Sequence, residues 1–121
     1  MKAEILRQAG VDYDYGVQRF VGRAHLYEKA LTKFSKDTTF DRIRAAYEAG
    51  DRAALLAAAH ECKGMCGNIG LTSLYEAADA LVQLLRGDAV APDALDAAYA
   101  LLDKRYRAVH TAVAAAMEDT L

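Results

Sequence analysis

The segment Leu55-Leu56-Ala57-Ala58-Ala59-His60-Glu61-Cys62-Lys63-Gly64-Met65-Cys66-Gly67-Asn68-Ile69-Gly70 has an apolar stripe on one side and a single imidazole on the other. At about 100° per residue, with His60 set at zero, Leu55, Ala58, Cys62, Met65, Cys66 and Ile69 gather on the far side. They form the core stripe of an amphipathic helix. Ala53, Leu56, Ala57, Lys63, Gly64, Gly67 and Leu71 fall on the side of His60. The imidazole is expected to point outward, among some of the smallest side chains available.

Glycine inside a helix costs about 1 kcal/mol relative to alanine. Gly64 and Gly67 therefore oppose the local propensity. Two such residues beside an outward imidazole imply that something large approaches it closely. Lys63, three residues on, lies on the same side and is expected to face solvent. A free imidazole is mostly neutral at pH 7, and neutral imidazole is a nucleophile. A flanking cation suits an incoming anion with several oxygens, such as a phosphoryl group. The segment has no serine and no carboxylate in triad-like spacing with His60, so acyl-transfer hydrolysis is unsupported.

Outward from this segment the chain reads as helix throughout. Apolar residues recur at spacings of three and four, and period-two alternation is almost absent. Short helices are expected at about 2–8, 12–20 and 40–49, and longer ones at about 23–36, 52–69, 73–86 and 92–118. Asp12 and Asp51 are placed to cap the helices that follow them. Gly50 is a natural helix stop, and Pro92 suits a helix start. Ser73 with Glu76 has the spacing of a capping box. The connections are short, so successive long helices should be antiparallel neighbours.

The 121 residues are 54% hydrophobic and 26% charged, with a formal net charge of −2. That length fits one domain and one core. The composition excludes a disordered chain, and the charge lacks the basic footprint of a nucleic-acid binder or a polybasic membrane anchor. The N-terminus lacks the apolar stretch of a secretory signal, and no apolar run is long enough to span a bilayer. The expected compartment is the cytoplasm. So short a chain excludes an autonomous nucleotide-driven kinase, and no phosphate-cradling glycine motif occurs.

The segment around His60 resembles the signature of histidine-phosphotransfer (HPt) domains of multistep phosphorelays. That signature is a His, two residues, Lys-Gly, four residues, an aliphatic residue and a Gly. Here it reads His60, Lys63, Gly64, Ile69 and Gly70, with Gly67 and Asn68 also typical. Gly10-Val11-Asp12, Gly16, Arg19, Gly22, Leu26-Tyr27, Leu31, Phe34 and Gly50-Asp51 resemble the same family. The resemblance covers roughly residues 8–87, and the last helix fits by length only. Cys62 replaces a usual aliphatic residue and Met65-Cys66 replace smaller ones. All three lie on the core stripe, so altered packing is expected rather than altered chemistry.

The resemblance implies a single all-α domain over residues 1–121. It would be an antiparallel up-down four-helix bundle (helices 23–36, 52–69, 73–86 and 92–118) with additional short N-terminal helices. It implies a phosphoryl carrier rather than an enzyme. His60 would accept a phosphoryl group from a receiver-domain aspartyl phosphate and pass it to another receiver aspartate, while Lys63 balances phosphoryl charge. Receivers of a hybrid sensor kinase or a response regulator would dock on Leu56, Ala57, Gly64, Gly67 and Leu71. The chain itself would be a monomer without cofactor or metal, the receiver supplying Mg²⁺. A helical module that binds receivers without being phosphorylated is the other class, and intact His60 and Lys63 speak against it. Cys62 and Cys66 share one side while His60 points away, so buried core thiols fit better than a zinc site. His25 and His110 lack a neighbouring Lys-Gly and read as ordinary helix residues.

Overall fold

The computed structural model describes residues 1–118; the expected domain end at 121 and the last three residues lie outside them. Among the described residues there are seven helices and no strand. They are α1 (Ala3–Gln8), α2 (Tyr13–Arg19), α3 (Ala24–Phe34), α4 (Thr39–Ala49), α5 (Arg52–Asn68), α6 (Thr72–Leu85) and α7 (Pro92–Met117). The fold is all-α.

Local chemistry sets most boundaries. The Asp12 carboxylate accepts from the Tyr15 amide, and that of Asp51 from the Ala54 amide, each at 3.0 Å. Both occupy N-cap positions, where such a bond satisfies an orphan donor. Gly50 closes α4 at φ +68°, a left-handed stop that glycine reaches without strain. Pro92 opens α7. The capping box is a correction. Helix α6 begins at Thr72 behind Leu71, and no side chain caps it. The Ser73 hydroxyl instead donates to the Ala9 carbonyl, and its amide to that of Gly10. Glu76 pairs with Arg105. Ser73 thus ties the end of α1 to the start of α6, a long-range role that local spacing does not reveal.

Helices α5, α6 and α7 pack as successive antiparallel neighbours, as their short connections require. The first column is shared by two helices. Toward α7, Tyr47 stacks on Tyr99 at 3.8 Å and Phe40 on Tyr106 at 4.1 Å. Further along α7, Phe34 meets Tyr106, His110 Nε2 donates to the Ser35 carbonyl, and Thr32 reaches Met117. Chain numbers fall on α3 and α4 as they rise on α7, so α3 and α4 follow one another along a single column. Two eleven-residue helices flank one of 26 residues, about 39 Å long. Residues 40–49 are therefore not an accessory to the bundle. They form half of its first column, broken at Asp37-Thr38, where the Asp37 carboxylate accepts from the Thr39 amide at 2.7 Å.

The core runs through all of these helices. Leu6, Tyr27, Leu31, Ile43, Leu74, Leu81, Val82, Leu102, Val109 and Val113 are fully buried. Each such aliphatic side chain contributes about 1.5–3 kcal/mol of burial.

Candidate functional site

Helix α5 carries His60, and its C-terminal end is tied to the N-terminal helices. The Tyr27 hydroxyl donates to the Ile69 carbonyl at 2.6 Å, the Asp12 amide to that of Gly70 at 2.8 Å, and Arg19 to the Asn68 side chain at 3.3 Å. Gly70 has φ +70°, and a Cβ there would stand 2.8 Å from the Asp12 carbonyl oxygen. Glycine is required twice over, by conformation and by space. Burial pushes the Tyr27 hydroxyl well above its ordinary pKa, so it stays a donor. Nearer His60, Arg42 of α4 grips Glu61 through both guanidinium nitrogens at 2.8 and 2.9 Å. That contact holds the Glu61 carboxyl below its usual pKa.

On this fixed helix His60 is exposed, and no hydrogen bond or ion pair among the described residues engages its ring. Ala57 and Gly64, one turn to either side, are exposed as well. A Cβ added at Gly64 would meet nothing within 4 Å. Leu56 is half-buried and leans on the core. An approaching body would therefore find the imidazole, Ala57 and Gly64 in the open, with Leu56 at their edge.

Three positions differ from the sequence reading. Leu71 is 0% exposed and belongs to the core. It cannot line a docking surface, because α5 ends at Asn68 and the left-handed Gly70 breaks the 100° progression that placed Leu71 beside His60. Gly67 is half-buried, and a Cβ there would stand 3.3 Å from the Tyr75 ring. Its missing side chain makes room for α6. Lys63 does not face open solvent: its side chain is 22% exposed and its ammonium lies 2.9 Å from Asp79 Oδ1. The Tyr75 ring centre is 5.8 Å away. Asp79 also accepts from Gln83 at 3.2 Å. Lys63 first, and then Gln83, hold the Asp79 carboxyl below its usual pKa.

Asp79 is the partner of Lys63 that sequence reading missed. Its signal was the polar row Glu76, Asp79, Gln83 at helical spacing on α6, whose orientation toward α5 becomes visible only once the helices pair. Between Tyr15 and Tyr75 lies a groove of about 410 Å³ above Gly67 and Gly70.

The remaining candidates fall elsewhere. The Cys62 and Cys66 sulfurs are buried, 3.8 Å apart, and hydrogen bonding to Cys62 together with burial pushes the Cys66 thiol up. Among the described residues no three His, Cys, Asp or Glu side chains gather as a metal site requires. His25 is exposed, and His110 ties α7 to the end of α3. No helix among the described residues is long and apolar enough to cross a membrane.

Comparison with curated proteins and with solved structures found no match. The family model of the Hpt domain matches residues 34–119. The match takes in α7, which the sequence reading assigned by length alone, and leaves α1, α2 and most of α3 outside it. Hpt domains are helical phosphocarrier modules of two-component phosphorelays, bind receiver domains and are not kinases. The match spans well over half of the sequence, and this chain belongs to the Hpt domain family.

Proposed function

We propose that this chain carries phosphoryl groups on His60, taking them from the aspartyl phosphate of one receiver domain and handing them to the aspartate of another. A ring nitrogen of His60 attacks phosphorus. The new N–P bond forms as the P–O bond to the receiver's aspartate breaks, and that bond's electron pair stays on the released carboxylate. The reverse sequence delivers the group onward. This chain supplies the nucleophile and the docking face. The receiver supplies Mg²⁺ and the groups that stabilise the transferring phosphoryl. Such relays operate in the cytoplasm, and the chain acts as a monomer.

The observation that carries the reading is the open space at Gly64, one turn from an exposed and unengaged His60. In-line transfer brings the donor oxygen, phosphorus and acceptor nitrogen onto one line. The receiver's active site must therefore descend onto the helix surface, and any side chain at position 64 would stand in its way. Leu56, Ala57 and Gly64 form the docking face, and Gly67 belongs to its half-buried margin. The test is to mix the protein with a phosphorylated receiver and assay acid-labile phosphohistidine. Label on the wild type is expected, and its absence with every receiver tried overturns the reading.

A further inference from the structure

Lys63 is three residues from His60 on one helix, so their Cβ atoms are about 5–6 Å apart. Its long stem can carry the ammonium either toward the imidazole or away from it. The ammonium is paired with Asp79 Oδ1 at 2.9 Å, and no bond joins it to the His60 ring. Asp79 is itself steadied by Gln83 at 3.2 Å, and the ammonium stands 5.8 Å from the centre of the Tyr75 ring. Without a phosphoryl group, the cation expected to balance its charge is thus already bound to a carboxylate on the neighbouring helix. A phosphoryl group carries close to two negative charges at neutral pH and competes with Asp79 for the same ammonium.

We infer that Asp79 is a positioning residue for phosphotransfer: it holds Lys63 away from His60 and thereby weakens the hold of this chain on its phosphoryl group. The inference rests on the carrier reading above. Asp79 makes and breaks no covalent bond in the step and exchanges no proton. It sets how much of the Lys63 charge reaches the phosphoryl group, and so where the equilibrium between aspartyl phosphate and phosphohistidine lies. A carrier must give up its group as readily as it takes it, and a Lys63 committed to His60 would favour retention. Asp79 counteracts that bias from a different helix.

The experiment measures the equilibrium ratio of phosphohistidine to receiver aspartyl phosphate. Four proteins are compared: wild type, Asp79→Asn, Asp79→Glu and Asp79→Asn in a Lys63→Met background. The Asp79→Asn ratio is expected to shift toward phosphohistidine by roughly two- to fivefold, the range an exposed ion pair spans. Asp79→Glu restores the wild-type ratio. In the Lys63→Met background the effect of Asp79→Asn collapses toward one, because no ammonium is left to release. A purely structural role would move the melting temperature and not the ratio. An unchanged ratio in Asp79→Asn, a shift toward the receiver, or an equal shift with and without Lys63 overturns the inference while leaving His60 as the carrier. Absence of label on the wild type overturns the carrier reading and this inference with it.

Discussion

Gly64 and Gly67 are three residues apart on one helix, and on a helical wheel they are equivalent, both beside His60. In the folded protein they are opposites. Space opens above Gly64, whereas a Cβ at Gly67 would press on the Tyr75 ring of α6. One turn further on, Leu71 is sealed in the core. The face that looks continuous in sequence is thus divided. In its upper half Ala57, His60 and Gly64 are exposed. Its lower half runs from Gly67, half-buried against Tyr75, to the core residue Leu71. Small residues on a helix mark close approach, and only the tertiary structure says whether a partner or a neighbouring helix approaches.

That division is tested most severely at its open half. The expected outcome of His60→Gln is complete loss of phosphohistidine from a receiver-phosphorylation assay, with stability within about 0.5 kcal/mol of wild type by denaturant melt. The His25→Gln/His110→Gln double variant should keep the label. It should also lose about 1 kcal/mol, because the His110–Ser35 bond is gone. Label surviving on a folded His60→Gln protein would end the assignment.

The closed half should answer through stability instead. Leu71→Ala removes a fully buried side chain and is expected to cost about 2–5 kcal/mol in urea unfolding. Transfer per folded molecule should remain at the wild-type rate. A small stability loss combined with slow transfer would return Leu71 to the docking face.

The smallest effect separates the two glycines directly. Gly64→Ala should stabilise by about 1 kcal/mol through helix propensity alone, since its Cβ meets nothing. Gly67→Ala gains the same propensity but presses its Cβ to 3.3 Å from the Tyr75 ring, so its gain should be smaller. Gly64→Gln should fold well and transfer slowly. Equal melting temperatures for the two alanine variants would erase the distinction.

The helices were legible because apolar periodicity and capping chemistry are local. Asp12, Asp51, Gly50 and Pro92 all serve the ends they were expected to serve. The outward pose of His60 was legible for the same reason. The misreadings share a cause, which is contact between distant segments. Leu71 was misplaced because the wheel was carried through Gly70, where the backbone turns left-handed. Ser73 has the spacing of a cap, yet it binds the end of α1. Lys63 has an acidic partner sixteen residues downstream on another helix, and no wheel drawn on α5 contains it. Residues 40–49 read as a short helix outside the four bundle helices, though aromatic stacking against α7 places them in the bundle.

The break at Asp37-Thr38 in the first column has a dynamic consequence. A continuous helix opens with its hydrogen-bond ladder as one unit, whereas α3 and α4 have separate ladders. Native proteins exchange amide hydrogens through partial openings that follow such units. Helix α3 is expected to open without α4, releasing the Tyr27 hydroxyl bond to Ile69 while the Arg42–Glu61 grip stays closed. Amides of α3 should then exchange with deuterium at a lower free energy than those of α5 and α7. During such excursions the C-terminal end of the histidine helix would loosen while the turn carrying His60 keeps its shape.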